Sequence, residues 1–534
     1  MYAANEEDIN ILGAVFLRLS GHSCLGHSKE TAEMVYVTDS TNLFYLSRHA
    51  MEQLGIIGAD FPQIGAAAIT SVKGPAPANI KRPCTCLERG PPPPRPAKLP
   101  FEPCEENNAK MKQWLLDRFA ASTFNKCKHQ RLPLMSGPPI AIHIQPGTQP
   151  TAVHTPASIP LHWRDEVKRQ LDADVKLGVI EKVVPGTPTT WCHRAFWVRK
   201  ADGTPRRVVD LQPLNRHCSR ETHHTIPPFK QARSIPPHTY RSVTDAWNGY
   251  HSVPVRECDR ELLTFITEFG RYRYCVAPQG YVASGDGYTH RYDRIIADIP
   301  RKTKCVDDTV LWDDNLAEHW WRMIDYLELM GKEGIVLNPS KFQFASKRIE
   351  FAGFDITPGD VRPLAKYMDA ITSFPRPCTI GDIRAWFGLV NQVSHYNKLN
   401  TIMAPFKDLL SPKTPFRWTD ELDECFTKSK SELIEAIKNG VQIFDPKRQT
   451  CLNPDWSTSG IGYWLRQKYC SCSSDTPDCC PGGWKITLAG SRFLRAAEKR
   501  YAPIEGEALA VAWSLEDTKF FTMGCDNLID GHRP

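Results

Sequence analysis

Long apolar runs are missing from this 534-residue sequence, and Met1 is not followed by the charged-then-apolar pattern of a secretory leader. Neither membrane insertion nor secretion is indicated, so an intracellular protein is expected. No repeat period is present, which sets aside solenoids and propellers. Charge of one sign is not in excess: the net value of +6 is too small to name a partner until it is located along the chain. The 18 cysteines contain no repeated CxxC pair and are spread thinly, so without a leader most are expected to be free thiols.

What is present fits a folded chain of three or four domains, with 41% hydrophobic, 24% charged and 10% aromatic residues. Positive charge concentrates between His193 and Lys304, where 19 Lys and Arg stand against 11 Asp and Glu. Such a surplus is the footprint of phosphate binding, although an ordinary solvated face would also carry it. One cysteine cluster stands apart: Cys470, Cys472, Cys479 and Cys480 in CSCSSDTPDCC. Four thiols so close can hold zinc, and the Pro/Gly/Ser setting reads equally well as a surface loop.

Residues 1–70 alternate apolar and polar in short bursts and close with a helical stripe over 44–57, which predicts a small β-rich domain ending in a helix. Prolines crowd the next stretch, PPPPRP at 91–96 included, so 71–135 is expected to be a linker, with a helix-like MKQWLLDRFAAS at 111–122. Strand-like and helical pieces mix from 136 to 363 without clean βαβ alternation, predicting an α+β domain. Residues 364–440 read as mostly helical, and a second strand-rich portion occupies 441–534.

In KCVDDTVLW, apolar residues flank Asp307 and Asp308, as in two short strands joined by a tight turn. An isolated Asp-Asp pair is most often just a polar turn. Neighbouring residues on a strand face opposite ways, so a metal cage would need a further acid from elsewhere. Asp245, at the end of the apolar strand in SVTDAW, is the best candidate. Mg²⁺ is commonly held by one or two carboxylates plus phosphate oxygens, and two such ions clamp an in-line phosphoryl transfer.

This constellation resembles the reverse transcriptase of Gypsy-type LTR retrotransposons. The ordered blocks are KADGTPRRVVDLQPLN (200–215), the upstream Asp245, APQG (277–280), CVDD (305–308), GIVLNPSKFQFA (334–345) and EFAGFDITP (350–358). The resemblance implies a right-hand polymerase of α+β class with fingers and palm over 136–363, and a helical thumb and connection over 364–440. It implies that Asp245, Asp307 and Asp308 hold two Mg²⁺ ions, or Mn²⁺, and that Lys200 and Arg206 contact the triphosphate of a deoxynucleoside triphosphate. Gln279 and Gly280 would flank the nucleotide and the template base, Tyr250 would collide with a ribose 2′-OH, and EFAGF would touch the primer end. An RNA template and a DNA primer are the implied partners, and a cytoplasmic retrotransposon particle with access to the nucleus is the implied setting. Cys305 departs from the family's aromatic residue before Val-Asp-Asp, a change that removes no metal ligand.

Residues 441–534 resemble the RNase H domain of the same elements, with Asp455 and Glu507 matching its first two metal-binding acids. The family's third acid directly precedes a His, but here Gly531 stands before His532 and Asp530 lies one place early. The sequence stops soon after, so this domain is expected to be poorly folded or inactive. Residues 1–70 resemble the later portion of a retroviral-type aspartic protease. Asp39-Ser40-Thr41 lacks the glycine of the catalytic triplet, which implies a protease remnant without the carboxylate dyad. The reading from another class is a non-catalytic nucleic-acid-binding remnant of a decayed element.

Overall fold

The computed structural model describes residues 11–22, 28–38, 50–51, 54 and 89–531, except 128–129, 201, 248, 394–395, 397–402, 411–415, 475 and 478. Met1–Thr85 and Cys86–Pro534 are separate units. In the first, strands Ile11–His22 and Ser28–Thr38 form one antiparallel hairpin with Phe16 opposite Met34. A lone hairpin is shared by many folds and carries no argument for a protease. Asp39-Ser40-Thr41 and most of the helix expected over 44–57 lie outside the described residues.

The centre of the second unit is a four-stranded antiparallel sheet in the order Gln343–Ser346, Tyr240–Asp245, Asp308–Asp313, Lys302–Cys305. Alternation along each strand decides what its two faces meet. Ser242 and Thr244 face helix Leu316–Lys332, where they meet the His319 Nε2 at 2.7 Å and the Tyr326 hydroxyl at 2.8 Å. Val243 and Val310 face the opposite way, into a cluster with Ile235, Ile349, Phe351 and Ile356. Helix Leu316–Lys332 places Leu316, Trp320, Met323, Ile324 and Leu327 at helical spacing into the main core, with Tyr288 and Tyr292 of helix Ser284–Ile295 beside them. Asn315 caps the first of these helices by accepting from the backbone of Ala317 and Glu318.

The linker expected over 71–135 needs correcting. Helix Asn108–Arg118 buries Met111 and Leu115 completely, and Phe119 and Phe124 follow them into the same core. The prolines before it fix extended backbone locally, but the apolar stripe one turn apart in the helix makes this segment part of the palm. Leu115→Ala is therefore expected to cost about 2–5 kcal/mol, read as a lower midpoint in chemical denaturation of the full chain. A spacer would show no change.

A second sheet, of five strands, runs Ile180–Lys182, Gly270–Tyr274, Thr264–Thr267, His193–Arg199, Pro205–Val209. Its core includes Val167 and Leu171 of helix Arg164–Lys176. A third sheet joins Ile349–Phe351, Phe354–Ile356 and Asp360–Pro363 to Val441–Gln442 from beyond the helical region. Between them, helices Ala365–Ser373, Ile380–Gln392 and Asp420–Asn439 close on Trp386, Phe406 and Phe426.

The last sheet orders Trp484–Phe493, Gly460–Lys468, Thr450–Trp456 and Leu528–Asp530, the final pair parallel, with helix Pro503–Thr522 against it. Leu452, Tyr463, Leu465 and Leu488 are buried in it. Three long strands and one helix enclose this core.

Candidate active site

The palm sheet gathers three carboxylates at one end. Asp308 lies directly opposite Asp245 in the antiparallel register, a position in which paired Cα atoms are about 4.5–5.5 Å apart. Asp308 also pairs with Cys305, so Val306 and Asp307 alone make the turn. Val306 has φ +53°, a left-handed conformation that costs a β-branched residue about 1–3 kcal/mol. That distortion releases Asp307 from strand alternation. Its carbonyl accepts from the Ala246 N–H at 3.0 Å, and its side chain lines the same cavity as Asp245.

Burial pushes the Asp307 carboxyl up from its ordinary range, and the neighbouring Asp245 charge adds to this. Asp308 is pushed up to about 6, by burial first and then by Asp245. Lys341 offsets part of the repulsion: its Nζ lies 2.6 Å from Asp245 Oδ2. Asn338 positions that lysine by accepting from the backbone N–H of Ser340 in the short turn Pro339–Lys341. Lys304 also acts on Asp307, yet two lysines against three acids leave net negative charge, and among the described residues the buried Asp307 Oδ1 meets no hydrogen-bond partner. Hard oxygen ligands in surplus negative charge suit divalent cations such as Mg²⁺, so these residues fit the expected metal pair.

The cavity has a volume of about 390 Å³ and is lined by Asp245, Asp307, Tyr250, Gln279 and Lys341 among others. The Tyr250 ring packs edge-on against buried Tyr288 with centroids 5.2 Å apart. Arg206 Nη2 donates to Gln279 Oε1 at 2.5 Å, which ties the five-stranded sheet to the cavity wall. Lys200 sits at the exposed turn of the same hairpin, where its N–H bonds the Thr204 carbonyl. Gly280 has φ +97°, and its carbonyl accepts from Asn215, whose own oxygen takes the Val282 N–H. EFAGF forms a two-residue hairpin turn with Ala352 at φ +49° and Gly353 at φ +90°. Asp245, Asp307, Tyr250 and Gln279 thus meet at one cavity, with Asp308 opposite Asp245 on the neighbouring strand and Arg206 joined through Gln279. Lys341 and Asn338 went unassigned in the sequence; the NPSK run inside a matching block was the available signal.

The RNase H-like residues are less complete. Asp455 stands on strand Thr450–Trp456 and Glu507 on helix Pro503–Thr522, and the helix approaches the strand so closely that a Cβ on Gly506 would lie 2.3 Å from the Trp456 ring. Asp530 ends strand Leu528–Asp530 and is paired with Leu452. At the next position, where the family has its acid, the Gly531 N–H bonds the Leu452 carbonyl and Asn453 donates to the Gly531 carbonyl at 3.0 Å. A Cβ there would meet Asn453 Nδ2 at 2.0 Å and Cys451 Sγ at 2.5 Å, so the space for a carboxylate is already filled.

Three acids at the end of a helix-backed antiparallel sheet, beside a second sheet that supplies Arg206, are arranged as in the palm-and-fingers fold of polymerases. Two stretches of the chain match domains found in the reverse transcriptases of retrotransposon Pol polyproteins. Residues 198–356 match the family described as reverse transcriptase (RNA-dependent DNA polymerase), and residues 418–529 match the RNase H-like domain found in reverse transcriptase. The Transposon Tf2-3 polyprotein of Schizosaccharomyces pombe is 23% identical over 358 residues, covering 66% of this chain and 25% of that protein. The Pol polyprotein from transposon opus of Drosophila melanogaster is 24% identical over 385 residues, covering 69% of this chain and 37% of its own length. The matched part of the chain therefore spans only 25% to 37% of the length of these relatives. Among solved structures, the foamy viral protease-reverse transcriptase in complex with dsDNA superposes with TM-score 0.66 at 19% identity, over 79% of this chain and 84% of that one. The same viral protein in complex with an RNA/DNA hybrid gives 0.65 at 18%, over 81% and 58%. At such identity the likeness is one of fold.

Proposed function

We propose that this chain is an RNA-directed DNA polymerase that extends a DNA primer on an RNA or DNA template, using deoxynucleoside triphosphates and Mg²⁺. The observation that carries the reading is the cross-strand pairing of Asp308 with Asp245, with Asp307 turned into the same cavity. Two divalent ions, when bound by Asp245, Asp307 and Asp308, supply activation of the primer 3′-hydroxyl and neutralisation of the leaving pyrophosphate. The chain's own residues do the positioning. Arg206 presents a planar guanidinium to phosphate oxygens, with Lys200 as a second cation on the same hairpin. Tyr250 and Gln279 bound the space for the nucleotide, and the turn at Ala352 and Gly353 holds the primer end. The RNA/DNA hybrid and double-stranded DNA held by the viral structures support the same partner class.

Incubation of the purified chain with primed RNA or DNA, Mg²⁺ and all four deoxynucleotides is expected to give elongated primer. Binding of primer–template without any extension would instead favour a remnant that binds nucleic acid only. In the same assay the RNA strand of a hybrid is expected to stay intact, because the third carboxylate position is taken by Gly531 and Asn453. Metal-dependent cleavage of that strand would overturn this part of the reading.

A further inference from the structure

The cysteines read as either a zinc site or a surface loop sit in the connection between strands Gly460–Lys468 and Trp484–Phe493. Pairing of Lys468 with Trp484 closes that connection, and the Tyr469 N–H continues the ladder by bonding the Gly483 carbonyl at 2.7 Å. The Gly483 N–H in turn bonds the Cys480 carbonyl at 3.3 Å. Backbone pairing thus brings Cys470 and Cys472, on the outgoing arm, against Cys479 and Cys480 on the returning one.

All four sulfurs lie within 4.8 Å of one another. Four thiolates around one zinc at about 2.3 Å would sit about 3.8 Å apart, which this cluster matches without rearrangement of the loop. Cys470 and Cys479 are 3.4 Å apart, far beyond a disulfide bond of about 2.05 Å, and all four thiols are free. Gly483 gives the sulfurs room: a Cβ there would lie 2.4 Å from Cys480 Sγ and 2.8 Å from Cys470 Sγ. Cations surround the loop. Arg448 lies 4.1 Å over the Tyr469 ring, Lys485 lies 5.1 Å from it, and Lys468 donates to the Ser474 carbonyl. They offset the charge that a four-thiolate zinc complex keeps.

We propose that Cys470, Cys472, Cys479 and Cys480 form a structural Zn²⁺ site that staples the loop of the RNase H-like sheet. Thiolates alone select a soft ion, and four of them leave no open position for water, so the site is structural and not catalytic. This proposal stands whether or not the palm copies nucleic acid.

The test is metal analysis of the full chain, purified under reducing conditions from zinc-supplemented culture and dialysed. About one zinc per chain is expected, falling below about 0.1 in Cys472→Ser/Cys480→Ser, while Cys258→Ser/Cys378→Ser keeps it. Cobalt exchanged into the wild-type chain is expected to show the charge-transfer and intense visible bands of a tetrahedral thiolate complex, a readout independent of whether the variant folds. Absence of zinc together with a cobalt spectrum lacking those bands would overturn the site, as would iron or copper in place of zinc or mass spectra showing the four sulfurs in disulfides.

Discussion

Replacing Asp307 by asparagine is expected to lower primer extension by roughly 10³-fold, since a metal-held charge is worth several kcal/mol in the transition state and each 1.36 kcal/mol is tenfold in rate. The substitution is nearly isosteric. It keeps the Val306–Asp307 turn and the backbone bond from Ala246, so the hairpin should survive. What it removes is charge on the side chain whose buried Oδ1 lacks a partner in the protein. Affinity for primer–template should stay within about threefold, because that term comes from cations contacting phosphates, not from the palm acids. Extension rate and fluorescence anisotropy on the same preparation separate the two effects. Equal extension by Asp307→Asn and the parent chain would remove the polymerase reading.

Tyr250→Val is expected to relax sugar selection by roughly 10- to 10³-fold, measured as the ratio of kcat/KM for a deoxynucleotide to that for its ribonucleotide. The ring stands in the cavity beside Asp245 and Asp307 and is held edge-on by Tyr288, so it cannot swing aside at no cost. Valine keeps the backbone and an apolar surface but vacates the outer part of the ring. Tyr250→Phe supplies the control, since it retains the ring and removes only the hydroxyl, and it should discriminate nearly as well as the parent. If the valine variant still rejected ribonucleotides, the wall that meets the 2′-OH would lie elsewhere in the cavity.

The palm was legible because its chemistry is local in sequence. Apolar residues around Asp307 and Asp308 specify the hairpin, and the apolar run ending at Asp245 specifies the strand that pairs with it. Register between distant strands is not written in either segment. Lys341 escaped notice for that reason: a lone lysine gains its role only when the turn capped by Asn338 brings it onto Asp245. Helix Asn108–Arg118 is legible in MKQWLLDRFAAS, but its place in the core is not, since the proline run before it signals extended chain and the Met111–Leu115 stripe is short. The cysteine cluster looked ambiguous because its spacing is uneven along the chain. Strand pairing, not spacing, brings its two arms together.

The strand Val441–Gln442 belongs by sequence to the far side of the helical region, yet it completes the sheet that carries the turn at Ala352 and Gly353. Arg233, buried near the palm, donates to the Thr487 carbonyl in the RNase H-like sheet at 2.7 Å and lies over the Tyr396 ring. The C-terminal lobe is therefore riveted at two places rather than hung from a tether. Any swing of that lobe would have to break the strand pair at Val441 and the Arg233 bond to Thr487 together.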